Sequence, residues 1–304
     1  MASSERQPDF FLVGAPKCGT TAMHVSLREH PDVFMPAEKE HNHFATDLVP
    51  ATDPYASREH YLALFRDASF EKRVGETSVF HLYSKSAAEN IRAFHADAKI
   101  LVMLRDPLEF VASYHSQMVW NGDEDLADLA EALDAEDVRR AGAHVPANLR
   151  FPDRLFYTGV ARFSEQLERY IGCFGSDAVH VVLFDDFTSD PAAEYRRALR
   201  FLGVDEDFAP TFRVVNPNKA VRSAAVSEFL RRPPAWVAKP VVTLLPRSWR
   251  RMLRIRVRHA NAAELPRAPL SDELHARLVE VLRPEVDRLE ALLGRSLPGW
   301  CAPR

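Results

Sequence analysis

The chain has 304 residues, 46% of them hydrophobic, enough apolar material for a large core and too much for an intrinsically disordered chain. Lysine and arginine total 39 against 43 aspartates and glutamates, a formal net charge of −4, which excludes a broadly basic nucleic-acid binder and makes any anion site local. Cys18, Cys173 and Cys301 are odd in number and widely spaced, which argues against a disulfide framework or a zinc ribbon and for a reducing compartment.

In chain order, Met1 to Gln7 is polar and no stretch approaches about 18 apolar residues, so a soluble, unexported, cytoplasmic protein is expected. Asp9 to Gly14 is a continuous apolar run closed by glycine, as in a strand buried on both faces. Met23 and Leu27, four apart among polar residues, predict a helix over 21–30 that stops at His30-Pro31. Val74 to Ser78 adds a shorter strand. The strand-then-helix order recurs at Lys99–Leu104 with Pro107–Met118, and at Ala178–Phe184 with Pro191–Leu202, closed by Gly203. This alternation predicts an α/β fold with a mostly parallel central sheet.

Asp123 to Asp137 carries eight acids and no base, with Leu126, Leu129, Ala130 and Leu133 at helical spacing, and predicts a surface amphipathic helix. Residues 229–263 hold nine lysines and arginines, no acid and four prolines. They read as a solvated, partly irregular connector, with a lid over an anionic acceptor or contact with an anionic membrane surface as alternatives. In the helical region 264–304, Ser271 to Leu293 predicts a terminal helix built on Leu274, Leu278, Val281, Leu282, Leu289 and Leu293, interrupted near Pro284.

The first strand runs directly into Gly14-Ala15-Pro16-Lys17-Cys18-Gly19-Thr20-Thr21. A strand, a glycine-bounded loop and a helix N-terminus make an anion cradle, because backbone N–H groups converge and the helix dipole adds to their field. The glycines have the spacing of a nucleotide P-loop, but Thr20 stands where a Walker lysine would be and Lys17 lies inside the loop. A lysine so placed suits a group attached to the first phosphate; the plain alternative is a glycine turn with a solvent-facing lysine. A second anion site is expected at Arg105, at the carboxyl end of a buried strand, where open α/β sheets bind ligands. Asp106 is the expected N-cap, Pro107 the first helical residue, and Ser113 follows two turns later.

With these motifs the sequence resembles, over most of its length, sulfotransferases that use 3′-phosphoadenosine 5′-phosphosulfate (PAPS), in particular the bacterial and the Golgi polysaccharide enzymes. The resemblance implies one sulfotransferase domain over 1–304 with a P-loop-type three-layer fold, the central sheet flanked by helices. Pro16, Lys17, Cys18, Gly19, Thr20 and Thr21 resemble the 5′-phosphosulfate loop, with Lys17 on the bridging oxygen, and Arg105 with Ser113 resembles the 3′-phosphate site. Asn216 to Ser223 resembles the bacterial segment at that phosphate, through Lys219 and Arg222. Lys39 to Phe44 resembles a stretch that carries a catalytic glutamate, which makes Glu40 the first candidate for general base and His41 or His43 the second. The plain alternative for Glu40 is a surface carboxylate paired with Lys39.

Gly75 to Ser78 resembles the acceptor-cleft segment, where Glu76 orients the acceptor, shares base duty or forms a structural ion pair. The His41–His43 pair has metal-ligand chemistry but no third ligand at diagnostic spacing, so no metal is expected. His24 and His115 read as surface or packing residues. The implied acceptor is a hydroxyl, with an amine as alternative, of a small molecule, lipid or glycan; no nucleic acid partner is expected. The rival readings are a Mg²⁺-dependent P-loop kinase of small molecules and a non-catalytic nucleotide-binding protein.

Overall fold

A computed structural model describes residues 6–146, 149, 151–212, 219–221, 262–264 and 269–303. The chain divides into two compact units, one of Met1–Val111, Arg150–Val215 and Asp272–Arg304, the other of Ala112–Leu149 and Asn216–Ser271.

The first unit is built on five strands, β1 (Phe10–Gly14), β2 (Val33–Phe34), β3 (Arg73–Thr77), β4 (Lys99–Leu104) and β5 (Val179–Leu183), in the spatial order β2-β3-β1-β4-β5. Every pairing is parallel. Phe10, Phe11, Leu12 and Val13 are fully buried, as are Ile100, Val102, Met103 and Leu104. Burial on both faces is why these strands are continuous apolar runs rather than alternating ones. Among the described residues the α-helices in chain order are α1 (Thr20–Glu29), α2 (Arg58–Leu62), α3 (Ala87–Phe94), α4 (Pro107–Asn121), α5 (Leu129–Asp134), α6 (Glu136–Arg140), α7 (Tyr157–Val160), α8 (Phe163–Phe174), α9 (Phe184–Ser189), α10 (Pro191–Leu202) and α11 (Asp272–Leu293). The parallel sheet flanked by helices is the α/β fold expected from the sequence.

Several elements differ from expectation. Between β5 and α10 the chain adds α9, and Asp190 then caps α10 by accepting from Ala193 N at 3.0 Å. The terminal helix α11 runs unbroken through Pro284. Pro284 and Glu280 both lie on the exposed face, where the loss of one backbone hydrogen bond is tolerated, while Leu278, Leu282, Val286 and Leu289 hold the buried face. Val281, expected on that face, is 46% exposed.

In the second unit the acidic run is not one surface helix. Asp128 accepts from Glu131 N at 3.1 Å and starts α5, and α6 follows separately. Glu124 lies on neither helix: it is buried, with both oxygens 2.7 Å from the guanidinium of Arg139, which stands just beyond the acidic run. The strands β6 (Lys219–Val221) and β7 (Ala262–Glu264) pair antiparallel in this unit. The basic segment expected over 229–263 lies outside the described residues except where β7 begins. Among the described residues no helix is long and apolar enough to cross a membrane.

Candidate functional site

Parallel strands carry all their carboxyl ends to one edge of the sheet. From β1 the chain builds β2 and β3 on one side, then crosses to build β4 and β5 on the other. The loops that leave β1 and β4 therefore part at the switch point, where open α/β sheets bind ligands.

The loop after β1 is tied to its surroundings along its length. Ala15 N donates to Met103 O at 2.6 Å, and Cys18 Sγ to Pro16 O at 3.4 Å. A Cβ on Gly14 would lie 2.7 Å from Val79 O, so that position has no room for a side chain. Gly19, at φ 88°, enters α1 in the left-handed region, and a Cβ there would meet Met103, Phe184 and Phe187 at 3.2–3.4 Å. Lys17 also takes a left-handed conformation, at φ 64°. Burial pushes the Cys18 thiol up to about 12, which makes it a protonated packing group at neutral pH. No side chain caps α1, so its first N–H groups and the positive end of its dipole are left for an anion.

Arg105 follows β4, and the structure brings it onto this loop. Its Nη1 donates to Lys17 O at 3.3 Å and its guanidinium lies 4.6 Å above the Phe184 ring. Nη2 is 3.7 Å from the Glu109 carboxylate, and Nε is buried with no hydrogen-bond partner among the described residues. Asp106 accepts from Leu108 N at 3.0 Å, the expected cap of α4, and also from Cys301 N at 3.3 Å; burial raises its carboxyl. Ser113 is buried on α4 within the second unit, and Lys219 opens β6 in the same unit. Arg222 lies outside the described residues.

The remaining candidates gather at the end of β3. Glu40 N donates to Thr77 O at 2.9 Å, its Oε2 accepts from Val79 N at 3.0 Å, and its Oε1 pairs with Lys39 Nζ at 2.9 Å. Since Val79 O abuts Gly14, one residue joins the Glu40 carboxylate to the start of the loop. The Glu40 side chain keeps 34% exposure. His41 is buried against the Tyr55 ring, with neither nitrogen partnered among the described residues. His43 donates from Nδ1 to Tyr55 O at 2.5 Å and stacks on Tyr61 at 4.2 Å. Burial lowers both imidazoles, so both are neutral bases or packing groups near pH 7.

Glu76 is fully buried. Its Oε1 accepts from Ser78 Oγ at 2.5 Å and its Oε2 faces His81 Nδ1 at 3.4 Å, an electrostatic contact longer than a good hydrogen bond. Burial alone would raise this carboxyl, but the His81 ring, the Ser78 hydroxyl and, less strongly, His41 outweigh it and hold it below the ordinary value, hence ionised. His24 of α1 hydrogen-bonds Thr77 Oγ1 at 2.9 Å, and burial, aided by the Lys39 charge, brings it down to about 4. Ser78 had no role of its own in the sequence and His81 had none; the available signal was a polar Ser78 directly after a buried strand and a histidine three residues further on. Among the described residues no three His, Cys, Asp or Glu side chains group as metal ligands.

Comparison with known proteins places these features in context. Residues 7–215 match the family described as a sulfotransferase domain. The membrane-associated sulfotransferase kil1 of Dictyostelium discoideum is 29% identical over 115 residues, 37% of this chain and 24% of that protein. Carbohydrate sulfotransferase 15 of Rattus norvegicus is 25% identical over 248 residues, 65% of this chain and 44% of that protein. The chain thus spans less than half the length of either relative. The crystal structure of a sulfotransferase from Alicyclobacillus acidocaldarius superposes with a TM-score of 0.73 at 27% identity, covering 98% of this chain and all of that one.

Proposed function

The chain belongs to the sulfotransferase domain family, and on that premise we propose that it transfers a sulfuryl group from PAPS to a hydroxyl of a small-molecule, lipid or glycan acceptor. The observation that carries this reading is Arg105. Its guanidinium touches the Lys17 carbonyl and keeps a buried, unpartnered Nε, so two separately expected anion sites share one edge of the sheet.

Bound PAPS supplies the activated sulfuryl group and a phosphate leaving group. The N–H groups of Gly19, Thr20 and Thr21, with the threonine hydroxyls, are the donors for its 5′-phosphosulfate. Lys17 neutralises charge that gathers on the bridging oxygen. Arg105 binds the 3′-phosphate, and Ser113, Lys219 and Arg222 keep the roles the resemblance gives them. In the displacement, the acceptor oxygen bonds to sulfur, the bond from sulfur to the bridging oxygen breaks, and the acceptor proton passes to a base. Positioning and charge stabilisation account for most of the rate. Glu40 suits the base role best: its carboxylate is partly exposed beside the loop, whereas Glu76 and His41 are buried and His43 is bound to Tyr55. The proposal takes 1–304 as one functional domain in the reducing cytoplasm, in keeping with three free thiols.

The test is label transfer from [³⁵S]PAPS to the acceptors of a cell extract in EDTA. Wild type should transfer label, with Lys17→Ala and Glu40→Gln each slower by about 100-fold or more. Arg105→Ala should bind the desulfated product (PAP) roughly tenfold more weakly. Phosphoryl transfer from ATP with Mg²⁺, and none from PAPS, would replace this reading with the kinase.

A further inference from the structure

We propose that Glu76 is a positioning residue, whose buried carboxylate acts through Ser78 and His81 to fix the backbone of the Lys39–Phe44 segment and so the placement of Glu40. The inference rests on the sulfotransferase reading above and adds to it a residue that touches no substrate.

Glu40 and Asn42 stand at φ 72° and 56°, left-handed conformations that non-glycine residues adopt only when their surroundings hold them there. Two side chains do the holding. Asn42 N donates to Ser78 Oγ at 2.9 Å, and Phe44 N donates to His81 Nε2 at 3.4 Å. Both acceptors answer to Glu76. Ser78 spends its one hydroxyl proton on Glu76 Oε1, which turns its lone pairs toward Asn42. His81 can accept at Nε2 only if its proton is on Nδ1, the nitrogen that faces Glu76 Oε2 at 3.4 Å. One carboxylate therefore sets both the hydroxyl direction and the imidazole tautomer. The two acceptors grip alternate N–H groups of the segment, and Asn42 Nδ2 closes back on Glu40 O at 2.9 Å. The Glu40 carboxylate, anchored at Val79 N, is held at its other end by this strained backbone.

Glu76→Gln keeps the side-chain shape and removes the charge. In the label-transfer assay with a fixed extract, its maximal rate should fall by about tenfold, while KM for PAPS and the Kd of PAP stay within about twofold of wild type. Hydrogen exchange over 39–44 should quicken. In a Glu40→Gln background the same substitution should cost less than about twofold, because a positioning residue has nothing left to position. A full rate in Glu76→Gln, or a loss that multiplies with that of Glu40→Gln, would overturn the proposal. Should Glu76→Gln fail to fold, Ser78→Ala carries the same expectations and the same refutations. Wild type that binds no PAP and moves no label would defeat the sulfotransferase reading, whereas wild type that does both alongside an unaffected Glu76→Gln defeats only this one.

Discussion

Single residues in this chain show how closely backbone and side chains are fitted. Gly75 lies in β3 beside β1, and a Cβ there would come within 2.1 Å of Phe10 Cζ and 2.4 Å of Met35 Sδ. Gly75→Ala should cost about 1–3 kcal/mol through overpacking, read as a lower urea midpoint; an unchanged midpoint would contradict the fit. His24 gives a pH prediction. Burial brings its folded value down to about 4, so the unfolded chain binds the extra proton between there and the ordinary histidine value near 6.5. Stability is complete above that window and declines as pH falls through it, by up to about 3 kcal/mol from this residue. Thermal melts from pH 7 to 4.5 should show the decline, and His24→Asn should flatten it; an equally steep profile in the variant would assign the effect elsewhere. The loop residues from Pro16 to Thr21 and Arg105 were legible because each adjoins a buried strand end. Ser78 and His81 were not, since their partners Asn42 and Phe44 lie 36 and 37 positions away in the sequence, and only the fold joins them.

Elements were read well where a period or a cap could be counted, and poorly where tertiary contacts override composition. The strands β1 and β4 are continuous apolar runs and stand where expected, as do β5 and the shorter, more polar β3. The strand β2 has two residues, too few to show any period. The acidic stretch shows the opposite failure: eight carboxylates promise a solvated face, yet one arginine past its end draws Glu124 into the interior. A buried pair leaves an uncompensated charge when one partner is lost. Arg139→Met should therefore destabilise the protein by about 3–5 kcal/mol in chemical denaturation. The double variant Glu124→Leu/Arg139→Met should recover most of that loss; a double variant as unstable as the single one would show that packing, not the buried charge of Glu124, sets the cost.

At the scale of the whole molecule, the sheet order decides which loops meet. Sequence alternation predicts parallel strands but not which of them become neighbours; the placement of β1 between β3 and β4 is what sets Arg105 against Lys17. A ligand that grips both should stabilise the fold by mass action. At about a hundred times its Kd, PAP should add roughly 2.7 kcal/mol and raise the melting temperature by roughly 4 °C. Adenosine 5′-phosphosulfate, which lacks the 3′-phosphate, should give a smaller rise, and the double variant Lys17→Ala/Arg105→Ala none. Equal shifts from both nucleotides would remove Arg105 from the binding site.

The bond from Arg105 to the Lys17 carbonyl also bears on how tightly a donor can be held. A long, rotatable side chain usually surrenders its freedom at the moment of capture, and affinity suffers accordingly. Here the chain surrenders that freedom once, as it folds, because a main-chain oxygen and the Phe184 ring have already aimed the guanidinium. On the function proposed above, the receptor is preorganised on that side, and an arriving nucleotide should find its cation already in place.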